Sequence, residues 1–532
     1  MKKFLMWLSA VFCVVCGSGT ALAETSTEPG RKVPHHLSWL DWVVIGVYGL
    51  VMLLIGLYYS RRNKTAEDYL LGGRQMKPTA VGISLFASLL SALSYLGNPG
   101  EMIKYGPILF SSIAAFPFVI LVVGKFLIPS FMRLPVASGY EILELRLGLN
   151  VRMLGAALFL SLRLLWMAVI IYATTDKVLI PLTGLNPGFK PLLCMVIGIV
   201  TIIYTSAGGL RAVVITDVVQ TFILLIGAIL TLAVVTRDMG GVSAWWPTHW
   251  YDTWAEPKFW FDSTKRTFAG CFLATFVWYV CTCGSDQMAI QRYLATRDVK
   301  SARSVLVVSM TTTALVSIFL GALGLALLAY FRAHPEMIPD EGAIGPSADK
   351  LFPQFIAIGL PTGISGLVVA ALFASAMSAL ASGLNSTSTV IVVDFLNRFR
   401  SAKSTQTMQV RLNRRVSVLV GALVVGLSLL VGGVQGNLVE LSFRVVNLLV
   451  APLFLLFFMA VFVPWATSFG TIIGAAVGIA VAVGIAFFHF LHLDFLWIMP
   501  GSLLAGAAIG MIASLIPRPK KPQHREIIVA TK

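Results

Sequence analysis

The sequence predicts an all-α membrane protein with about 13 transmembrane helices. The chain has 532 residues, of which 57% are hydrophobic and only 12% are charged, whereas soluble domains are about half apolar and a quarter charged. So little charge cannot cover the apolar surface of such a long chain in water, and a bilayer is the solvent that suits it. The net charge of +16 lies mostly in short segments between apolar runs, as in cytoplasmic loops, and does not indicate a nucleic-acid partner.

The apolar runs follow one another with short polar connections. Each is close to the length of about 20 largely apolar residues that a helix needs to cross a bilayer. The predicted spans are roughly 39–60, 80–105, 108–130, 153–181, 191–207, 212–236, 265–285, 302–331, 361–394, 416–434, 440–463, 468–490 and 494–516.

The N-terminus has the pattern of a signal peptide. Lys2 and Lys3 precede an apolar stretch, and an A-x-A-like cleavage site ends at Ala23. Cleavage there would leave the mature N-terminus outside. The predicted organisation is a signal peptide (1–23), a periplasmic segment (24–38), a transmembrane domain (39–516) and a basic cytoplasmic tail (517–532).

The distribution of Lys and Arg predicts the same orientation. Basic residues are concentrated in the loops 61–79, 286–303 and 395–415 and in the C-terminal tail. All four segments fall on one side if an odd number of spans starts outside, and that side is cytoplasmic by the positive-inside rule. The sequence therefore predicts a bacterial-type inner (plasma) membrane protein with its N-terminus outside and its C-terminus in the cytoplasm.

No pattern in the sequence indicates an enzyme. The six cysteines lie in the leader or in apolar runs and lack the spacing of redox or zinc motifs. No hydrolase, metalloprotease or nucleotide-binding motif stands in a suitable context. The partners that we expect are a small-molecule solute and the lipid bilayer, without an obligatory protein partner.

The ninth predicted span carries a polar stripe. Ser375, Ser378, Ser382, Asn385 and Thr389 follow at steps of three and four, which places them on one helical face. Hydroxyl oxygens are suitable ligands for a hard cation. Small polar residues also allow close helix packing in membranes, and the spacing alone leaves both interpretations open.

The second predicted span has a similar stripe at Ser84, Ser88, Ser91 and Ser94. The segment 97–100, Gly-Asn-Pro-Gly, is expected to interrupt the helix. An interrupted helix frees backbone carbonyls that can coordinate an ion, provided that they line a cavity within the protein. The alternative is a kinked helix with a packing role only.

Three ionisable residues lie in or near apolar spans. Asp217 is a functional candidate with Arg211 as its expected partner, or alternatively a carboxylate favoured near a helix start. Asp286 is expected to cap the short helix that begins there. Arg163, in the fourth span, is expected to snorkel or to pair.

Five motifs, in order between about residue 40 and about residue 460, resemble signature elements of the sodium:solute symporter family. One such motif would be weak, but five on a matching topology are specific. The matching elements are Tyr69-Leu70-Leu71-Gly72-Gly73-Arg74; Pro129, Arg133, Tyr140, Glu141, Leu143, Glu144, Arg146 and Gly148; Gly208–Gln220; Asp286, Gln287, Gln291, Arg292 and Tyr293; and Ala376–Asp394.

The resemblance implies a LeuT-like fold of two inverted five-helix repeats, at about 80–236 and about 265–463. It also implies Na⁺ as the coupling ion and the only metal. The implied sodium site takes backbone carbonyls and a hydroxyl from the second and ninth spans, at Ala87, Leu90, Ser375 and Ser378.

Two positions depart from the family pattern. Ala379 stands where the family usually offers a second Ser or Thr, so the ion would lose a ligand unless Ser375 or water replaces it. A second, inner sodium site or release path is matched by Asp217 and Ser382 but not by Ala381.

The resemblance is nearest to the branch that carries monocarboxylates, vitamins and iodide. The sequence therefore favours import of a small organic anion over a sugar, by sodium-coupled alternating access. Ser94, Tyr95 and Tyr279 are expected on geometric grounds to line the solute. Proton coupling and a sugar substrate are alternatives within transport, and a solute sensor that binds without transport is the alternative from another class.

Overall fold

The computed structural model describes residues 37–134, 136–251, 254, 256–262, 266–338, 343–399, 405–431, 438–488, 490, 493 and 495–516. Every regular element within these residues is helical, which confirms the predicted all-α class. The predicted signal peptide, nearly all of the predicted periplasmic segment and the C-terminal tail lie outside the described residues. Those three assignments therefore stay predictions.

Within the described residues, the first half of the chain starts with a peripheral helix, includes a kinked helix of 49 residues and ends with a four-residue helix. Shorter helices between them are joined by 3₁₀ turns (Gly72–Arg74, Gly106–Ala115 and Pro187–Phe189) and π-helical turns (Val123–Leu127 and Thr175–Leu179). The helices are α1 (Trp39–Ser60), α2 (Ala66–Leu71), α3 (Pro78–Leu89), α4 (Ala92–Tyr105), α5 (Phe116–Val122), α6 (Ile128–Met132), α7 (Tyr140–Leu147), α8 (Leu149–Thr174), α9 (Ile180–Thr183), α10 (Lys190–Asp238) and α11 (Val242–Trp245).

The second half contains α16, the most deeply buried of the candidate membrane spans among the described residues. Its π-helical turn is Ile391–Leu396, and its 3₁₀ turns are Pro335–Met337 and Phe495–Trp497. The helices are α12 (Phe268–Ser285), α13 (Gln287–Leu294), α14 (Val299–Ala333), α15 (Ile344–Ile358), α16 (Ile364–Val390), α17 (Asn397–Phe399), α18 (Gln406–Val431), α19 (Leu438–Phe462), α20 (Ser468–Phe488) and α21 (Ile498–Ala513).

Ten helical stretches among the described residues are long and apolar enough to cross a membrane. Every one of the predicted spans overlaps a helix, but the boundaries differ because some helices are broken and others are continuous. The fifth and sixth predicted spans, for example, form the single element α10. The number of crossings therefore stays a prediction.

The second predicted span is broken, but earlier than the sequence suggested. Leu90 and Ser91 have extended backbone angles between α3 and α4. The Ser91 hydroxyl accepts from the Ser94 N–H at 3.1 Å and so caps the new helix. Pro99 lies inside α4, so the prediction that 97–100 interrupts the helix is wrong. A proline removes one backbone donor, whereas a capped extended pair ends a helix completely.

The kink in α10 depends on Gly209. Its φ of +59° and ψ of −160° are not helical, and a Cβ atom there would lie 2.7 Å from the carbonyl oxygen of Tyr69. The adjacent Gly208 carbonyl accepts from Asn63 Nδ2 at 2.8 Å. The kink is thus packed against the connection between α1 and α3, and it directs the second half of α10 toward α16.

Helix α16 is at the centre of the bundle, and almost every residue along it is buried. Helix α1 is mostly exposed along its length, but it is tied to the start of α16. Asp41 Oδ1 accepts from the N–H groups of Gly363 and Gly366, both at 2.8 Å, and from Ser365 Oγ at 3.0 Å. These bonds cap α16 with a residue of another helix.

Replacing Gly209 with Ala is expected to destabilise the fold. The backbone region that Gly209 occupies is essentially restricted to glycine and costs other residues about 1–3 kcal/mol, and the added Cβ would also contact Tyr69. We expect a lower thermal midpoint for Gly209→Ala in detergent. The matched control is Gly426→Ala in α18, where a Cβ meets nothing within 4 Å. Equal midpoints for the two variants would contradict this explanation.

Candidate functional site

The break between α3 and α4 lies against α16. The last carbonyl groups of α3 have no partner within their own helix, as at any helix end. The Ser375 hydroxyl of α16 donates to the Leu90 carbonyl at 3.2 Å. The structure therefore brings together two of the positions that the sequence predicted for sodium. Ala87, the third carbonyl position, is buried in the last turn of α3.

A fully buried carboxylate, Asp217 of α10, holds the polar side chains beside this break. Ser378 Oγ of α16 donates to Asp217 Oδ1 at 2.6 Å, and Ser84 Oγ of α3 donates to Oδ2 at 2.5 Å. The carboxylate is thus directed at the side chains of two other helices. It does not accept from the backbone N–H groups of a helix start, which was the alternative interpretation.

Arg211 is not the partner of Asp217, and that prediction is wrong. Arg211 Nε donates to the Gly72 carbonyl at 3.0 Å, and its Nη2 donates to Asp68 Oδ1 at 3.3 Å. Six residues separate Arg211 from Asp217. With 3.6 residues per turn, the two side chains lie on different faces of α10.

The partner of Asp217 is Arg292 of α13, which sequence reasoning missed. The Arg292 side chain is almost fully buried, and its Nη2 lies 3.1 Å from Asp217 Oδ2. The same Nη2 donates to Ser88 Oγ at 2.5 Å and to Ser382 Oγ at 2.6 Å, and Nε donates to Ser84 Oγ at 3.0 Å. We call these six residues the Asp217 cluster: Ser84, Ser88, Asp217, Arg292, Ser378 and Ser382.

The sequence contained a signal for Arg292. It belongs to the motif after the seventh predicted span, and it was counted among the basic residues of a cytoplasmic loop. The other basic residues of that loop, such as Arg297, are exposed. An arginine within the helix Gln287–Leu294, every residue of which is buried, requires a buried acceptor.

The polar stripe of α16 divides into two parts. Ser378 and Ser382 contact side chains of other helices, and Ser382 Oγ lies 2.7 Å from Ser88 Oγ of α3. In the second part, Thr389 donates to the Asn385 carbonyl of its own helix at 2.8 Å. Ser386, which lies beside the stripe, likewise donates to carbonyls of its own helix, at 2.8 Å and 3.1 Å. Ala379 is buried and supplies no side-chain oxygen. The first part of the stripe therefore holds the donor oxygens suited to a cation.

The three residues expected near the solute have different surroundings. Tyr95 is fully buried, and its hydroxyl donates to the Leu224 carbonyl at 3.2 Å. Tyr279 is half-buried and packs edge-on against Phe116, with 5.2 Å between ring centroids. Ser94 is partly exposed. Ser94 and Tyr279 are thus the accessible members of the set, and the assignment of all three stays a prediction.

Helix α4 has one accessible polar face beside the break. Ser94, Gly97, Asn98 and Glu101, at helical spacing, are partly exposed, whereas the opposite face is buried. A Cβ atom at Gly97 would meet nothing within 4 Å, but one at Gly100 would lie 2.8 Å from Asp349 Oδ1. There is therefore free space next to Gly97 on this face.

A second buried ion pair joins α8 to the start of α13. Arg163 Nη2 donates to Asp286 Oδ2, and Asp286 Oδ1 accepts from the Met288 N–H at 2.9 Å. Both expectations are met, since Asp286 caps the short helix and Arg163 has a partner. Arg163 and Arg292 are therefore each neutralised by a buried carboxylate.

Comparison with known proteins gives one family. Residues 69–478 match the model of the sodium:solute symporter family. The chain is 30% identical over 399 residues to the sodium/sialic acid symporter SiaT of Proteus mirabilis (strain HI4320). The aligned region covers 73% of this chain and 77% of that protein. It is 29% identical over 460 residues to the sodium-coupled monocarboxylate transporter 1 of Mus musculus, covering 83% of this chain and 72% of that protein.

Solved structures agree with this result. The chain superposes on a Na⁺-coupled sialic acid symporter, solved in a substrate-bound, outward-open state, with a TM-score of 0.80 at 26% identity. The superposition covers 91% of this chain and 99% of the solved one. A nucleobase-cation-symport-1 family transporter has a TM-score of 0.52 at 13% identity, over 83% of this chain and 93% of that chain, and supports the fold alone. The predicted LeuT-like fold class is confirmed.

Ser378→Ala is expected to weaken the stabilisation of the purified protein by Na⁺. If Ser378 supplies an oxygen to the ion, its loss should raise the half-saturating Na⁺ concentration by about tenfold, which corresponds to about 1.4 kcal/mol. The measurement is the thermal midpoint as a function of NaCl concentration at constant ionic strength, with KCl as the balance.

The matched control is Ser386→Ala. Ser386 is buried on the same helix, but its hydroxyl bonds only to its own backbone. We expect its half-saturating Na⁺ concentration to equal that of the unmodified protein. A similar rise in both variants would show that the Na⁺ response does not depend on Ser378 as a ligand.

Proposed function

Because the chain belongs to the sodium:solute symporter family, with Na⁺ as the coupling ion, we propose that it imports a small carboxylate-bearing solute, a sugar acid in the first instance. Transport proceeds by alternating access, with the predicted orientation in the membrane. The observation that carries the proposal is the oxygen-rich contact between the broken α3–α4 segment and α16, next to an accessible polar face of α4.

The solute class is supported by what the relatives share. Two of them are sialic acid symporters, at 30% and 28% identity, and others are monocarboxylate transporters at 27–30%. Sialic acid is a sugar that carries a carboxylate, so the two groups have the carboxylate in common. The sequence favoured a monocarboxylate or vitamin over a sugar, but the relatives support the sugar alternative better, in its acidic form.

The accessible face of α4 suits such a solute. The Ser94 hydroxyl and the Asn98 amide can hydrogen-bond to hydroxyl groups of a sugar, and Gly97 leaves space between them. Among the described residues the three buried arginines, Arg152, Arg163 and Arg292, are already paired with carboxylates. The charge of a bound carboxylate is therefore best balanced by the co-transported Na⁺ beside the break.

Sodium would couple to the solute through the position of α3 and α4. An ion held by Leu90 and Ser378 joins the broken segment to α16 and so favours one arrangement of the two. A solute on α4 then binds more tightly to that arrangement, and the coupling is reciprocal. A single Na⁺ that balances the solute carboxylate makes import electroneutral, so the Na⁺ concentration gradient drives accumulation. Each additional Na⁺ contributes about 2.3 kcal/mol per 100 mV of membrane potential.

Uptake into proteoliposomes tests the coupling and the solute together. We expect labelled sialic acid to accumulate with an inward Na⁺ gradient and not when K⁺ replaces Na⁺. An imposed pH gradient without Na⁺ should have no effect, which separates sodium from proton coupling. Excess unlabelled monocarboxylate and neutral sugar serve as competitors. Equal uptake in Na⁺ and K⁺ would reject the coupling, and binding without uptake would indicate a sensor.

Filling the space beside Gly97 is expected to block the solute but not the ion. We expect Gly97→Leu to reduce uptake at least about tenfold, while Na⁺ still stabilises the purified variant. The control is Gly426→Leu, which adds the same side chain at an exposed, open position of α18. Normal uptake by Gly97→Leu would show that this face of α4 does not contact the solute.

A further inference from the structure

The guanidinium of Arg292 occupies the centre of the Asp217 cluster. One nitrogen, Nη2, lies within hydrogen-bonding distance of oxygens from three helices: Ser88 of α3 at 2.5 Å, Ser382 of α16 at 2.6 Å and Asp217 of α10 at 3.1 Å. All three oxygens converge on this one nitrogen of the positively charged guanidinium. The oxygens are arranged as they would be around a bound cation. Here the cation is the Arg292 side chain, which is covalently part of the protein.

The remaining donors of Arg292 fix it in this position. Nε donates to Ser84 Oγ at 3.0 Å, and Nη1 donates to the Met288 carbonyl of its own helix at 2.9 Å. Each nitrogen of the planar fork therefore has an acceptor, which is the arrangement that arginine holds best. The side chain is 1% exposed, so no solvent competes for these acceptors.

Two of these acceptors are the residues that match an inner sodium site, Asp217 and Ser382. A sodium ion that bound both oxygens would stand where Nη2 now stands. Two positive charges at such short range repel strongly in a poorly solvated interior. We therefore infer that Arg292 and Na⁺ bind this site in alternation, so that Arg292 is an attached competitor that each inner sodium ion must displace. The inference rests on the proposed function.

The competition prevents an unpaired charge in the carrier when neither sodium nor solute is bound. After release of the ion, Asp217 would remain as a buried and unpaired charge, which is strongly unfavourable. Arg292 returns to the carboxylate and neutralises it. The sodium-free protein can then change conformation without exposing a bare charge to the membrane interior. Arg292 thereby determines the apparent affinity for sodium. It also permits the return step, in which the sodium-free protein changes conformation to face the outside again.

The displaced side chain has an alternative acceptor close by. Asn385 is 2% exposed, and its amide oxygen and nitrogen both lack a hydrogen-bond partner among the described residues. It lies between Ser382, which contacts Arg292, and Thr389, which accepts from Gln291 Nε2 at 3.0 Å. Asn385 therefore faces α13, one turn along α16 toward the predicted cytoplasmic end. Its Oδ1 is available to the guanidinium.

The primary test is the half-saturating Na⁺ concentration for thermal stabilisation of the purified full chain. We expect Arg292→Gln to lower it by about tenfold, since the site loses its competitor. Arg292→Lys should lower this concentration less than Arg292→Gln does, because its ammonium still competes with Na⁺ although it cannot contact all three helices. If Arg292→Gln does not fold, the half-saturating Na⁺ concentration of Arg292→Lys is the measurement that decides. An unchanged or higher value in either variant overturns the inference.

A second measurement separates this role from a merely structural one. Exchange of labelled for unlabelled solute in constant Na⁺ does not require the empty carrier to return, whereas net uptake does. We expect Arg292→Gln to retain exchange and to lose most of its net uptake. Equal loss of both, in a variant that remains folded, overturns the proposed part in the return step.

Two further variants act as controls. The double variant Arg163→Gln/Asp286→Asn removes a different buried ion pair and should leave the half-saturating Na⁺ concentration unchanged. A tenfold fall in that variant overturns the specific role of Arg292. Asn385→Leu removes the alternative acceptor and should raise that concentration, and no change overturns the assignment of Asn385. If the unmodified protein shows no Na⁺ dependence at all, the proposed function itself fails.

Discussion

The negative charge of Asp217 is buried where four helices meet, and the elements around it are arranged to neutralise or hydrogen-bond it. A carboxylate in a poorly solvated interior is unfavourable without a positive partner and hydrogen-bond donors. The donors come from the first turns of the α16 stripe and from α3, and the positive charge comes from α13. The break in the second span, the kink of α10 and the burial of α13 together bring these groups to one point.

The sequence predicted most residues of this site, but it did not predict which of their side chains contact one another. The step of three and four along α16 identified Ser378 and Ser382 correctly as one face, because helical periodicity is a local property. The family motifs include both Asp217 and Arg292, but they do not indicate that the two side chains are in contact. Their meeting depends on the tertiary arrangement of α10 and α13, 75 residues apart along the chain, and no local pattern encodes it.

Two errors have identifiable physical causes. The Gly-Asn-Pro-Gly segment is a stronger breaking signal than Leu90-Ser91, yet the helix continues through Pro99 and breaks where Ser91 can cap the next helix. Arg211 was preferred as the partner of Asp217 because it is near in sequence. Its side chain lies on another face of α10 and bonds to the connection between α1 and α3. In both cases the tertiary environment overrode the local preference.

The link between Asp41 and the start of α16 has a consequence for the protein in its lipid environment. Helix α1 presents most of its surface outward, so bilayer thickness and lateral pressure act on it directly. The Asp41 carboxylate is bonded to the first turn of the helix that carries Ser378 and Ser382. A tilt of α1 would therefore strain or move that turn, which gives the thickness of the bilayer a direct mechanical route to α16.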